Sequence, residues 1–335
     1  MKGSRGLVRA VLLAVLLAVA GCERAAPLAT PGRTTAAPQT KPLKTYQDLI
    51  VGYAQLGAES EWRSANTASV KETAEALGVE LKFSDAQQKQ ENQITAIRSL
   101  IAQRVDVIGV APLTETGWDE VFKEAKDAGI PIILVDRRAD VPEDLYATLM
   151  GSDFLEEGRN AARIMTKLTN GEASIVELVG TIDSAPANDR YKGFREILQD
   201  YPGMKIIDSR SGDFTIAQGR EVMEAFLKTH GRSITALYAH NDDMALGAIK
   251  AIEAYGLKPG VDIKIVSVDA ARGAFEAMIA GKLNATVECN PLLGPKFLDL
   301  ALKVANGETV PKWVPSEEGV FFPDSAKEIL PTRKY

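Results

Sequence analysis

The stretch VDVIGVAPLTETGWDEVFKEAKDAGIPIILVD, residues 105–136, decides the fold that this sequence predicts. Its first seven residues are mostly apolar and suit a buried parallel strand, as do its last seven, IPIILVD. Between them, residues 117–128 have the spacing of a helix, which Gly129 ends. A strand, a helix and a second strand in this order form one crossover unit of a parallel sheet.

The same alternation continues on both sides of this stretch. Further strands are predicted at residues 49–54, 79–83, 145–151, 174–180, 204–208, 234–239, 263–268 and 284–289. Further helices are predicted at residues 63–77, 88–104, 154–169, 188–200, 216–229, 243–255, 271–280 and 293–306. Regular alternation predicts an α/β fold of parallel sheets covered by helices, and so many strands favour two doubly wound lobes over one.

The chain begins with a predicted lipoprotein signal peptide over residues 1–21. Basic residues precede an unbroken apolar run at 10–21, which is shorter than the roughly 20 residues needed to span a bilayer. The run ends in Val-Ala-Gly-Cys, which resembles the lipobox of bacterial lipoproteins and predicts lipidation of Cys22. The alternatives are a buried helix, or a signal cut elsewhere that leaves Cys22 free.

A tether follows the predicted signal. Residues 22–44 contain four prolines and almost no large apolar side chain, which is typical of a disordered Pro/Ala/Thr segment. The folded body is therefore expected to begin near Thr45.

Composition excludes several classes of function. The 335 residues include 39 Lys and Arg against 45 Asp and Glu, so the formal net charge is −6 and no basic surface for nucleic acid is expected. Two cysteines exclude a disulfide framework, and two distant histidines do not predict a zinc site. Nucleotide-binding and nucleophile-elbow motifs are absent from the sequence, and Glu59 with Glu61 gives no evidence for a glycosidase pair. We expect no catalytic residue, no metal and no cofactor.

Polar and aromatic side chains follow the predicted strands at their carboxyl ends, where parallel sheets bind ligands. Arg offers a fork of donors, Asp accepts two hydrogen bonds, Asn does both, and Trp or Phe covers the apolar face of a sugar ring. Such a set favours a neutral ligand with many adjacent hydroxyl groups. The candidate ligand-binding residues are Glu59, Trp62, Arg63, Asp136, Arg137, Arg190, Phe214, Asn241 and Asp269.

Each candidate also has a structural interpretation. Asp136 with Arg137 is alternatively a surface pair, Arg190 a first-turn helix charge, and Trp62 a core residue. Asn241 is alternatively a turn residue. For three other residues a structural role is the preferred interpretation. Asp242 or Asp243 is expected to be a helix N-cap, and Cys289 a small buried side chain. The joint placement of the candidates at strand ends favours a site.

Several segments of the sequence resemble a known family. The specific ones are residues 85–94, DAQQKQENQI, and 239–244, AHNDDM, and shorter matches such as SEWR at 60–63 occur in the same order. They resemble the bacterial periplasmic sugar-binding proteins of ABC transporters, in the ribose/galactose-binding group of type I periplasmic binding proteins. Within this group the likeness is greatest to the galactofuranose-binding members, and it extends over about residues 49–330.

The resemblance implies two lobes joined by three crossover segments, near residues 152, 289 and 318. It implies an N-terminal lobe of residues 45–152 plus 290–318 and a C-terminal lobe of residues 153–289 plus 319–335. It also implies roles. Trp62 and Arg63 contact the sugar ring and Asp136 with Arg137 binds hydroxyls from the first lobe, with Glu59 a weaker match. The second lobe contributes Arg190, Phe214, Asn241 and Asp269.

Two positions depart from the ribose-binding pattern of this family. Ala111 before Pro112 stands where ribose binders carry Asn, and Cys289 stands where they carry Gln. Both departures argue against a ribose-type pocket, and Trp62 with Arg63 supports a galactofuranose-type pocket instead.

The resemblance implies an extracytoplasmic, lipid-anchored solute-binding protein, in the periplasm or on the cell surface. We expect it to capture a monosaccharide, a galactofuranose-like hexose, by hinge closure and to deliver it as a monomer to an ABC permease. One alternative is a sensor that presents its ligand to a membrane receptor. Another is a repressor core of the same fold, although a signal and tether stand where its DNA-binding helices would lie. The last is a sugar-modifying enzyme.

Overall fold

The structure is a computed structural model that describes residues 42–335. The predicted signal peptide, Cys22 and the tether up to residue 41 lie outside the described residues. The strands are β1 (Ile50–Gln55), β2 (Glu80–Asp85), β3 (Val107–Val110), β4 (Ile132–Val135), β5 (Thr148–Gly151), β6 (Ala173–Val179), β7 (Met204–Ser211), β8 (Ala236–Ala239), β9 (Lys264–Asp269), β10 (Ala285–Glu288), β11 (Trp313–Pro315) and β12 (Val320–Phe321). The helices are α1 (Glu61–Leu77), α2 (Gln90–Ala102), α3 (Asp119–Asp127), α4 (Phe154–Leu168), α5 (Ala185–Leu198), α6 (Ile216–His230), α7 (Asp242–Ala254), α8 (Arg272–Ile279), α9 (Gly294–Ala305) and α10 (Pro323–Ile329). In this part of the chain, no helix has both the length and the apolar character needed to cross a membrane.

The strands form two six-stranded sheets, with the orders β11-β5-β4-β3-β1-β2 and β12-β10-β9-β8-β6-β7. Neighbouring strands run parallel except β10 and β12, which pair antiparallel. The order reverses beside β1 in the first sheet and beside β6 in the second. Ligands of doubly wound sheets bind beyond the carboxyl ends of the strands at such reversals. The predicted fold class of two parallel-sheet α/β lobes is confirmed.

Local sequence explains the elements that border this crevice. The four residues of β4 are all buried, as expected for a parallel strand with both faces covered. Helix α1 begins after Ser60, whose side chain accepts a hydrogen bond from the Arg63 backbone N–H, and it ends at Gly78 with φ of 74°. Because the helix starts two residues before the predicted position, Trp62 and Arg63 lie in its first turn, beside the crevice.

The chain passes from one sheet to the other three times, after β5, after β10, and between β11 and β12. After β5, helix α4 packs against β9 and β10 of the second sheet. After β10, helix α9 packs against β3 and β4 of the first sheet. The three passages lie side by side: Ser316 N donates to Gly151 O at 2.7 Å, and Glu288 N donates to Gly319 O at 2.8 Å.

The core runs along both sheets. In the first sheet, Tyr53 meets Phe297 edge-on, with ring centroids 5.3 Å apart. In the second, Phe194 stacks on Tyr238, with centroids 4.1 Å apart. All four side chains are fully buried and belong to one continuous apolar cluster. Such packing gives each lobe a rigid frame on which loop residues are held.

Several boundaries differ from the sequence prediction. The short strands β11 and β12 are not predicted, because two or three residues are too few to show strand alternation. The seven-residue helix α10 is not predicted either. Helix α5 begins at Ala185 rather than 188, since Pro186 suits the first turn of a helix. Strand β7 continues to Ser211, three residues beyond the predicted end, along mostly half-buried polar positions.

Candidate functional site

A cavity lies at the carboxyl ends of the strands of both sheets, with about 280 Å³ of empty space that is partly open to solvent. All nine candidate residues predicted from the sequence line it. The structure therefore brings together side chains that are up to 210 positions apart, from Glu59 to Asp269. Four lining residues are not among the nine: Ser60, Phe154, Pro186 and Cys289.

On the first-sheet side, a network of buried charges lines the cavity. The Nη2 of Arg63 donates to Asp136 Oδ2 at 2.7 Å, and its Nε donates to Glu59 Oε1 at 3.2 Å. Arg137 donates from Nη1 to the carbonyl of Leu113 at 3.2 Å. The side chains of the four charged residues are at most 4% exposed. Charges buried to this degree need such partners, because desolvation penalises an unpaired ion by several kcal/mol.

Asp136 reaches the cavity through a left-handed backbone conformation. It directly follows β4 and has φ of 68°. Its backbone N–H donates to Met150 O at 2.8 Å. A side chain at Gly151 would place its Cβ 2.9 Å from Asp136 Cα, so this close approach of two backbones requires glycine.

Trp62 links the first lobe to the second passage. Its Nε1 donates to the backbone carbonyl of Cys289 at 2.6 Å, which fixes the orientation of the indole ring. The guanidinium carbon of Arg63 lies 4.5 Å from the Trp62 ring centroid. The alternative of a core role is partly right, because Trp62 also belongs to the main apolar cluster.

On the second-sheet side, Arg190 is the central charged residue. Its Nε donates to Glu157 Oε2 at 2.7 Å and its Nη1 donates to the His240 carbonyl at 2.6 Å. Its Nη2 lies 3.7 Å from Asp269 Oδ1. Arg190 is thus buried and paired, rather than an exposed first-turn charge of α5.

Phe214 and Asn241 are positioned together. The Nδ2 of Asn241 donates to the Phe214 carbonyl at 3.0 Å, and Phe214 has φ of 58°. The Phe214 ring lies over Gly180, where an added Cβ would be 1.9 Å from a ring carbon. Glycine at 180 is therefore required for the ring to reach the cavity.

The expected N-cap role of Asp242 or Asp243 is wrong. Asn241 caps α7 instead, because its Oδ1 accepts the Met244 backbone N–H at 3.0 Å. Asp242 is buried and accepts from Ser267, Thr286 and the Ala271 backbone. Asp243 accepts the backbone N–H of Glu61 at 3.1 Å, so it joins the two lobes.

The electrostatics of the cavity leave specific atoms for a ligand. Within the described residues, Glu59 Oε2, Arg63 Nη1 and Arg137 Nε are buried without a hydrogen-bond partner, which provides one acceptor and two donors. Burial and the nearby Arg63 lower the pKa of Arg137 to about 10. Burial holds the pKa of Asp269 well above its usual range, although Arg190 opposes the shift. Three guanidinium groups facing three carboxyl groups suit an uncharged, hydroxyl-rich ligand.

A metal ion does not fit the cluster of possible ligand atoms beside the cavity. Across residues 42–335, the group with three such side chains comprises Glu157, Cys289 and Glu318. The guanidinium of Arg190 already donates to Glu157. Ser152 and the Asn290 backbone already donate to Glu318. Protein donors therefore already occupy one oxygen of each carboxylate, and the Arg190 guanidinium supplies the positive charge that a cation would bring.

A clasp at the rim of the cavity joins the two lobes, and sequence reasoning did not find it. Arg138, next to the cavity residue Arg137, forms ion pairs with Glu115 of its own lobe and with Asp189 of the other. Asn188 Nδ2 donates to Glu115 Oε2 at 2.6 Å, and Glu115 N donates to Asp183 O at 2.9 Å. We call Glu115, Arg138, Asn188 and Asp189 the rim clasp. With these contacts formed, the structure is a closed form of the protein.

Two missed lining residues had usable sequence signals. Phe154 lies three positions after the end of β5, at the first passage between the sheets, and the Arg190 guanidinium carbon lies 5.2 Å from its ring centroid. Cys289 directly follows β10, and it is buried as expected for a small thiol. Both lie just after a strand end, the rule that identified the other residues.

Comparison with known proteins identifies the group to which this architecture is similar. The family described as "Periplasmic binding protein domain" matches residues 51–309. The galactofuranose-binding protein YtfQ of Escherichia coli (strain K12) is 46% identical over 291 residues, which cover 85% of this chain and 92% of that protein.

Two solved structures are similar over the same region. The periplasmic binding component of the arabinose ABC transporter of Shewanella sp. ANA-3, bound to α- and β-L-arabinofuranose, has a TM-score of 0.82 and 47% identity, covering 85% of this chain and 95% of that one. A protein of Mycobacterium smegmatis in complex with β-D-fucofuranose has a TM-score of 0.84 and 52% identity, covering 86% of this chain and 95% of that one.

Proposed function

The chain belongs to the family of periplasmic binding protein domains, and we propose that it captures a monosaccharide in furanose form between its two lobes. We further propose that the closed form delivers the sugar to the permease of an ABC importer. One observation carries the proposal: nine residues from six strand ends, selected for sugar chemistry, line one cavity between the two sheets. Binding energy then shifts the equilibrium between open and closed forms.

The ring form of the sugar is supported by the similar proteins. Galactofuranose, L-arabinofuranose and D-fucofuranose share a five-membered ring and differ in the carbon chain attached to it. A pocket that holds the ring and its hydroxyl groups accepts all three.

We assign roles to the lining residues from their contacts. Trp62 and Phe214 cover the apolar face of the ring, on opposite lobes. Arg63 and Arg137 donate to hydroxyl oxygens through their unpartnered nitrogens, and Glu59 accepts through its unpartnered oxygen. The remaining polar contacts come from Asp136, Arg190, Asn241 and Asp269.

The organisation of the whole protein follows the same proposal. We propose an N-terminal lobe of residues 45–152 plus 290–318 and a C-terminal lobe of residues 153–289 plus 319–335, which the three passages between the sheets support. We propose that the protein works outside the cytoplasm as a monomer, anchored through a lipid on Cys22. It binds its sugar without changing it and uses no cofactor.

Isothermal titration calorimetry with the full chain tests the proposal. We expect heat of binding and a change in tryptophan fluorescence with galactofuranose, L-arabinose or D-fucose, and none with D-ribose. A flat titration with every sugar of this panel would contradict sugar binding. Uptake of the labelled sugar is then measured in cells that lack the gene. Loss of uptake indicates a role in import, and continued uptake indicates a sensory role.

A further inference from the structure

Glu318 connects all three passages between the sheets. Its Oε1 accepts the backbone N–H of Asn290, on the second passage, at 3.0 Å. The same oxygen accepts the hydroxyl of Ser152, on the first passage. Glu318 itself lies on the third passage, between β11 and β12. One carboxyl group thus contacts each segment that must bend when the lobes open.

A second carboxyl group, Glu157, lies against this junction. One oxygen of Glu157, one of Glu318 and the thiol of Cys289 lie within 4.8 Å of one another. Glu157 Oε2 accepts from Arg190, whereas its Oε1 is buried without a hydrogen-bond partner in the described chain. Of these two carboxyl groups, only that of Glu157 forms an ion pair with Arg190 in the described part of the chain, and a donor for Glu157 Oε1 is lacking there.

Charged and titratable groups surround this pair on every side. Arg190 of α5 contacts Glu157 and lies near Glu318, Asp136 acts on Glu157 from the first lobe, and Cys289 and Asp269 approach from the second lobe. Glu288 lies beside the third passage, where it accepts from Gly319 N, and Arg333 neutralises it at 2.6 Å. Arg190 and Arg333 are thus the cations of this region, and each is already paired with a carboxylate.

We propose that one proton, held between Glu318 and Glu157, fastens the three passages in the closed form and keeps Arg190 in position at the cavity. The proton resides on Glu318, and the resulting hydroxyl donates to the unpartnered Oε1 of Glu157. Glu318 Oε1 stays free to accept from Ser152 and Asn290. Glu318 is a positioning residue, because it acts on the ligand only through Glu157 and Arg190.

The environment of Glu318 favours this proton. Burial, followed by the charge of Glu157, raises the pKa of Glu318 to about 8. Burial also raises the pKa of Glu157. Opening of the lobes admits water to the junction, which lowers the pKa values of Glu318 and Glu157 towards the usual range. The closed form therefore binds the proton more tightly than the open or unfolded forms.

The direction of the pH dependence follows from linkage. At pH values below the pKa that Glu318 has in the open form, Glu318 is protonated in both the open and the closed form. In that range, closure does not depend on pH. Between that value and about 8, closure requires proton uptake, so sugar affinity falls as pH rises, by up to about tenfold for each unit by which the two pKa values differ. Above about 8 the affinity levels off.

The test compares wild type with Glu318→Gln and with Glu317→Gln, the same change at the exposed neighbouring position. The amide of Glu318→Gln donates and accepts as a protonated carboxyl does, at every pH. Melting temperatures without sugar are measured from pH 5 to 9.5. We expect the wild type and Glu317→Gln to lose stability up to about pH 8, and we expect Glu318→Gln to lose distinctly less.

A second arm measures the affinity for L-arabinose over the same pH range, and this arm rests on the proposed function. We expect Glu318→Gln to match the wild type at pH 5.5 and to bind more tightly at pH 8.5. Equal pH slopes of melting temperature in wild type and Glu318→Gln would overturn the proposal, even if no sugar binds. A pH response abolished by EDTA would also overturn it, in favour of a metal ion.

If Glu318→Gln fails to fold, carboxyl ¹³C NMR of the wild type tests whether Glu318 and Glu157 share a proton. We expect one glutamate carboxyl to remain protonated at pH 7. The absence of any such signal would contradict the shared proton.

Discussion

Arg63 and Arg190 occupy corresponding positions on opposite walls of the cavity. Each guanidinium forms a short hydrogen bond of 2.7 Å with a buried carboxylate, Asp136 for Arg63 and Glu157 for Arg190. These pairs keep two rigid forks of donors charged and aligned before a ligand enters. A hydroxyl-rich sugar then exchanges its hydrogen bonds with water for hydrogen bonds with fixed partners, which discriminates between stereoisomers.

At this scale we predict the effect of Asp136→Asn. The substitution leaves the buried Arg63 without its strongest partner, so we expect a loss of about 3–5 kcal/mol in the free energy of unfolding. We also expect sugar binding to become undetectable by calorimetry. Urea denaturation measures the stability change.

The matched control for this variant is Asp127→Asn, which alters an exposed ion pair with Lys123 on α3. We expect it to leave stability and sugar affinity nearly unchanged, because exposed pairs contribute little. Similar losses in both variants would show that the burial of the Asp136 pair is unimportant.

At the scale of elements, helix α5 serves two surfaces. Its first turns place Arg190 inside the cavity and Asn188 and Asp189 on the rim clasp, so successive residues line the cavity and contact the opposite lobe. The loop after β4 does the same, with Arg137 in the cavity and Arg138 on the clasp. A sugar that aligns these two elements therefore also brings the clasp together.

We predict that Arg138→Ala weakens sugar affinity by about two- to fivefold without altering the cavity lining. The reason is that Arg138 contacts the other lobe in the closed form, and loss of this contact is expected to favour the open form. Calorimetry with L-arabinose measures the effect.

Arg98→Ala is the control, since Arg98 forms exposed ion pairs with Glu120 and Glu124 within the first lobe. It should bind the sugar as the wild type does. An unchanged affinity for Arg138→Ala as well would show that the clasp contributes nothing to closure.

At the scale of the whole molecule, three segments of residues 42–335 join the two sheets, and they run side by side. Few covalent connections between two well-packed lobes permit a hinge motion, while the packed cores keep each lobe rigid. The cavity lies between the lobes, so in the proposed function capture of the sugar and closure of the lobes are one event.

We predict that the radius of gyration decreases when the sugar is added, as measured by small-angle X-ray scattering. D-Ribose should leave the scattering curve unchanged and serves as the control ligand. Arg138→Ala should have a larger radius than the wild type before sugar is added, and should approach it at saturation. A curve that does not change with a bound sugar would contradict hinge closure.

The sequence by itself determined the alternation of strands and helices and most of the residues that line the cavity. Buried parallel strands have recognisable apolar runs, such as IILV in β4, and ligands bind where such strands end. Residues like Asp136 and Asp269 are therefore identifiable from their place after a strand, together with the resemblance to a family.

Only the tertiary structure decided the contacts between segments that are distant in sequence. The clasp pairs Arg138 with Asp189, and Glu318 joins Ser152 and Asn290, positions separated by up to 166 residues. The short strands β11 and β12 exist because neighbouring strands pair with them, not because of their own residues. Local patterns carry no record of such partners, since a hydrogen bond or a shared proton depends on which groups folding places side by side.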